Sequence, residues 1–100
     1  MKFVYEEALQ KYMLQKKKSI IAVEVITSDH SDFEVTELHV HLVNSKRADF
    51  FKTKKHFRSY ATEVGEVFLP PYRLEYDETI IFGLKSFLWF KYVTQQGIRL

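Results

Sequence analysis

Residues 35 to 43 (V-T-E-L-H-V-H-L-V) alternate with the period of a β-strand, most regularly from Glu37 to Leu42. In an extended chain Leu38, Val40 and Leu42 fall on one face, and Glu37, His39 and His41 on the other. This pattern predicts a β-strand in a sheet covered on one side only. Residues 20 to 27 (I-I-A-V-E-V-I-T) are short and rich in β-branched side chains, which predicts a second strand. The polar run S-D-H-S-D at residues 28 to 32 then joins the two as a hairpin, with a loop longer than the tight two-residue type.

A different period opens the chain. Tyr5, Ala8, Leu9, Tyr12 and Met13 recur at helical spacing, predicting a helix over residues 3 to 15 that ends near Lys17. Glu6 and Glu7 stand in its first turns and Lys16, Lys17 and Lys18 follow its last, the polarity that the helix dipole favours. Residues 46 to 55 fit either a short helix or an irregular basic loop. Residues 56 to 63 and 66 to 69 flank Val64-Gly65 and read as a second hairpin or a bulged strand. It is ended by Pro70-Pro71, neither of which can donate to a ladder. Residues 72 to 76 and 79 to 84 read as strands separated by a turn at Asp77-Glu78. Residues 86 to 94 (S-F-L-W-F-K-Y-V-T) read as one aromatic element, strand or short helix, before a turn at Gln95-Gln96-Gly97. Together these elements predict one α+β domain over residues 1 to 100. Its N-terminal helix would pack on a mainly antiparallel, strongly twisted sheet of roughly five to seven strands.

Composition supports a packed core. Apolar residues make up 46% and aromatic ones 16%, enough to bury a core without covalent staples. Cysteine is absent, which excludes disulfides, thiolate metal sites, cysteine-ligated clusters and cysteine nucleophiles. With acidic residues near the start and no apolar run of membrane-spanning length, a cytoplasmic protein without membrane contact is the expectation.

The net charge is only +2, but charge is sorted into blocks. Residues 46 to 58 hold Lys46, Arg47, Lys52, Lys54, Lys55 and Arg58 against Asp49 alone. Asp29, Asp32, Glu34 and Glu37 are acidic, as are Glu75, Asp77 and Glu78. Phe50, Phe51 and Phe57 interleave with the basic run. That combination suits single-stranded nucleic acid, where cations meet phosphates and rings stack on bases. The alternative is an exposed basic loop whose phenylalanines pack inward.

His39 and His41 stand two residues apart on one strand face, roughly 7 Å apart at the backbone. Two imidazoles so placed can share a divalent metal, with Glu37 continuing the row and His30 or His56 closing the shell. A solvated polar face is the competing reading. Catalytic patterns are missing: no serine elbow and no phosphate-cradling glycine loop occurs.

The segment E-E-A-L at residues 6 to 9, the hairpin after it, L-E-Y-D-E-T at residues 74 to 79 and the G-I-R-L ending resemble the HesB-type iron–sulfur cluster biosynthesis family. The resemblance implies a similar fold over most of the chain. That family holds iron or a cluster through cysteines in the loop after the early strands and near the C-terminus. Here the loop reads Ser28-Asp29-His30-Ser31-Asp32 and the cysteines are missing, so thiolate cluster assembly does not carry over. The sequence therefore predicts a non-enzymatic accessory or interaction domain, self-associating as a homodimer or binding a protein partner. Phe87, Trp89 and Tyr92 are its expected contact residues, with the basic residues 46 to 58 at the rim; the alternative is that the aromatic run is covered on both faces and belongs to the core.

Overall fold

The computed structural model describes residues 1–30 and 33–100, and the side chains of His30 and Phe33 lie outside that description. Among the described residues the chain forms two sheets and two helices. β1 (Lys2–Tyr5), β6 (Glu75–Phe87) and β7 (Phe90–Arg99) make a three-stranded sheet in the order β1-β6-β7. β2 (Ile20–His30), β3 (Phe33–Val43), β4 (Arg58–Ala61) and β5 (Glu66–Leu69) make a four-stranded one in the order β3-β2-β5-β4. α1 (Glu7–Lys16) follows β1, and α2 (Ser45–Thr53) follows β3.

The α+β class and the strand number agree with the sequence reading; the single sheet does not. Two parallel pairings divide the strands, β1 with β6 and β2 with β5. Both join segments far apart in sequence, and no local periodicity encodes such a partner. The helix is also not the first element, because Lys2 to Tyr5 pair in parallel with Thr79 to Phe82. Tyr5 is therefore a strand residue, and α1 turns only Leu9 and Met13 into the core. Its C-terminus closes through Lys17 at φ 55°, whose N–H reaches the Leu14 carbonyl while Lys18 N–H reaches that of Met13. This paired closure satisfies carbonyls that a helix end otherwise leaves open.

Three other boundaries move. Ser28 and Asp29 continue β2, so strand pairing extends past the expected loop start; Ser31 and Asp32 lie outside the described residues. Asp77-Glu78 is not a turn but part of β6, where the register with β7 slips between Tyr76 and Ile81. Gly97, at φ 110°, sits opposite that slip in a conformation glycine adopts without penalty. The aromatic run 86 to 94 is two strands and their turn, since Phe87 pairs with Phe90 across Leu88-Trp89.

Two apolar clusters hold the layers. The main one joins Tyr5, Leu9 and Met13 to Ile21, Val23 and Val67 of one sheet and Ile80, Phe82 and Ile98 of the other. The second lies on the opposite face of the four-stranded sheet, where Ala48 and Phe51 of α2 meet Ala22, Val43, Phe57 and Phe68. That sheet is thus covered on both faces at one end, a correction to the one-sided sheet predicted from β3. Asn44 starts α2 by accepting the Arg47 N–H at 2.8 Å.

The tight β4–β5 turn is tied to β1. Thr62 Oγ1 accepts from Gly65 N–H at 3.0 Å and lies 2.9 Å from the Tyr5 hydroxyl. A side chain at Gly65 would strike the Ser19 backbone carbonyl, so this approach requires glycine. Burial raises the Tyr5 phenol above its ordinary value of 10.0, with the Thr62 hydrogen bond pulling the other way. Tyr76 is raised too, by burial and then by Tyr60, against the pull of Arg58. In the unfolded chain these phenols ionise near their ordinary value while the folded ones stay neutral, so the unfolded state binds fewer protons above about pH 10. Stability should be intact below that pH and fall as pH rises beyond it. Melting temperatures measured from pH 8 to 11 should show the decline, and Tyr5→Phe/Tyr76→Phe should flatten it. An undiminished slope in the double variant would contradict this origin.

Candidate contact surface

The histidine face forms as the strand period requires, but each imidazole has its own partner. His39 Nε2 donates to Glu37 Oε2 at 3.1 Å, and His41 Nε2 donates to Glu24 Oε2 at 3.0 Å across the strand pair. The two rings lie 6.0 Å apart, centre to centre. No group of three or more His, Cys, Asp or Glu side chains comes together among the described residues to hold a metal. His30, the expected further ligand, has its side chain outside the described residues. His56 stands exposed at φ 58° in the link from α2 to β4. Glu24, the partner of His41, was not singled out in the sequence; cross-strand pairing brings it in, with His39 as its register neighbour.

The basic segment turns out to be α2 and the chain after it. Phe51 and Phe57 are core residues with rings 4.8 Å apart. Phe50 is partly exposed, but the Arg47 guanidinium lies 5.5 Å from its ring centre and the Lys55 ammonium 6.0 Å. Lys52, Lys54, Lys55 and Arg58 are exposed. Their charges face solvent, while the rings that would stack on bases are buried or already faced by cations.

The hairpin β6–β7 behaves differently. Its tip carries Phe87, Leu88, Trp89, Phe90 and Tyr92 in unbroken proximity, and all are exposed; Trp89 is 89% so and Leu88 71%. Phe87 and Phe90 meet edge to face at 5.8 Å, and Phe90 and Tyr92 lie 6.3 Å apart. These rings pack against one another rather than into the core. Leu88 occupies the turn at φ 56°. Left-handed backbone costs an ordinary residue about 1–2 kcal/mol, and a two-residue hairpin turn normally places Gly, Asn or Asp there. A strained, apolar, solvent-facing turn lowers stability and solubility together.

The sequence names Phe87, Trp89 and Tyr92 as contact residues and places Leu88 and Phe90 only in the same aromatic run, because no turn residue at Leu88-Trp89 marks where that run divides into two strands. It does not place the neighbouring cations. The depression beside the tip is lined by Tyr12, Lys16, Trp89, Phe90 and Lys91. The basic residues next to the tip are thus those of α1 and β7, while α2 packs on the far face of the other sheet. Among the described residues, no helix is long and apolar enough to cross a membrane. In comparisons with known proteins, the chain matches no family model, no curated protein and no solved structure.

Proposed function

We propose that this protein is a non-enzymatic interaction domain that works by contact, and that the β6–β7 tip is the contact element. The observation that carries this reading is the tip itself, five large apolar side chains exposed together on one hairpin end whose turn holds Leu88 in a left-handed conformation. Aromatic side chains of this kind dominate binding energy at interfaces once a partner excludes water from them. A second copy of the chain is the partner it fits most simply: an apolar tip is complementary to itself, and a two-fold dimer is the commonest assembly. The open backbone edge of β7 at the tip adds hydrogen-bonding groups to the same surface. The resemblance to HesB-type proteins extends the proposal to a cysteine-free scaffold of that kind, which acts without a cluster.

Sedimentation over micromolar to hundred-micromolar concentrations tests the reading. The wild type should associate, and Trp89→Ala should return it to a 12.0 kDa monomer. Removing a central aromatic anchor costs about 2 kcal/mol or more, a loss of at least about thirtyfold in affinity. Trp89 is the single tryptophan, so its emission should shift to shorter wavelength as the oligomer forms. A monomer at every concentration, with unchanged emission, would remove self-association by this surface.

A further inference from the structure

We infer that the open surface between the end of α1 and β7 is a binding track for single-stranded nucleic acid. The inference goes beyond the contact reading: it uses the cationic surface beside the tip and shares Phe90 and Tyr92 with it.

β3 and β7, edge strands of the two sheets, approach each other below the tip. The depression between them, about 360 Å³, is lined by Lys16, Lys18 and Lys91 together with Tyr12, His41 and Tyr92. A second depression of about 420 Å³ continues it toward the tip and shares Tyr12, Lys16 and Lys91. No carboxylate lines either depression among the described residues. Lys16, Lys18 and Lys91 take part in none of the ion pairs there, unlike Lys11, which pairs with Glu7.

Two of these ammonium groups are held at one ring. Lys16 Nζ lies 5.6 Å and Lys91 Nζ 5.7 Å from the centre of Tyr12. The ring's negative face draws each cation in, and their mutual repulsion is left without a counter-charge. An anion arriving beside them supplies that counter-charge, and phosphate is the anion that lysine binds as a point charge. Beside the cations, Phe90 and Tyr92 stand two residues apart on β7, half-exposed and on one side of the strand. Neighbouring rings on one strand are how a sheet stacks successive unpaired bases.

The shape decides between a small ligand and a polymer. Both depressions are open and run into one another, whereas a small-molecule site buries most of its ligand. An open run of cations edged by rings fits an extended strand whose phosphates meet lysines and whose bases meet Phe90 and Tyr92. The exposed cations of α2 provide an internal comparison, because the rings among them are buried or faced by cations.

Fluorescence anisotropy with a labelled oligothymidylate of about 12 nucleotides, long enough for a single-strand site, tests this. The wild type should bind at about 50 mM salt and weaken steeply by about 200 mM. Lys16→Glu/Lys91→Glu should weaken binding at least tenfold and flatten the log–log salt slope by about 1.4, two phosphate contacts on a single strand. Tyr92→Ala should weaken binding about tenfold through lost stacking. Lys52→Glu/Lys55→Glu should stay within about threefold, because neither residue lines the track. Circular dichroism of each variant confirms that it is folded. Absence of binding at low salt, or an equal loss in the Lys52/Lys55 variant, overturns the inference. So does a duplex bound as tightly as the single strand, because stacked bases cannot use the rings. Equal affinity for polyglutamate overturns it in favour of an acidic protein partner. If the oligonucleotide fails while Trp89-dependent association persists, this inference falls alone; if association fails while the oligonucleotide binds, only the dimer falls.

Discussion

Phe82→Ala should destabilise the protein by about 3–5 kcal/mol, the range for emptying a buried phenylalanine site. Phe82 is fully buried in β6, the central strand of its sheet, flanked by β1 and β7. Its ring is stacked at 6.1 Å from Phe3 and tilted at 5.8 Å from Tyr5, both on β1. The cavity would open where β1, α1 and both sheets meet, and rigid neighbours on several elements leave little room for collapse. Against a total stability of about 5–15 kcal/mol, the loss removes a large share. Urea unfolding should show the midpoint fall sharply with the slope preserved, while Phe82→Leu, which keeps most of the volume, should lose less than about 1.5 kcal/mol. A loss below about 1 kcal/mol for the alanine variant would mean that β1 and β6 do not share one packed core.

Phe51→Ala should cost a similar amount, about 3–5 kcal/mol, for a different reason. Phe51 anchors α2 to the outer face of the four-stranded sheet, 99% removed from solvent against Phe57, Phe68, Ala22 and Val43. α2 has 9 residues, too short to be stable without tertiary support. Its Arg47 guanidinium also rests 5.1 Å from the centre of the Phe51 ring, so the substitution removes a cation–π contact along with the packing. Loss of α2 should appear as reduced helical circular dichroism and as fast amide exchange confined to residues 45 to 53, with the tip's aromatic rings undisturbed. If exchange accelerates uniformly instead, the two clusters form one cooperative unit and α2 is not an independent layer.

Much of the local structure could be read from the chain. The alternation of residues 37 to 42 marks β3 and the row of Glu37, His39 and His41 on one face, and β3 carries that row. Leu9 and Met13 at helical spacing mark the inward stripe of α1, and Asn44 with Ser45 marks the boundary where β3 gives way to α2. Each of these signals is short-range: a side chain's face follows from its position in the local period. The aromatic excess in the last third also pointed to the tip, although the turn itself was hidden, because Leu88 adopts a left-handed conformation with no glycine or asparagine to announce it.

By itself the sequence determined the α+β class, the strands β2 and β3, the helical stripe of α1, the lack of thiolate chemistry and a load of aromatic residues greater than one small core needs. Tertiary structure alone decided how the strands divide between two sheets, since the parallel pairs β1–β6 and β2–β5 depend on contacts between distant segments. It also decided which charged residues act together. Lys16 and Lys91 lie far apart in the chain and meet only at the Tyr12 ring, while Phe51 and Phe57, which read like exposed platforms, are drawn into a core by α2. Periodicity assigns each residue a face, but only chain closure assigns that face its neighbours, and the neighbours determine whether a ring or a charge is left free to bind.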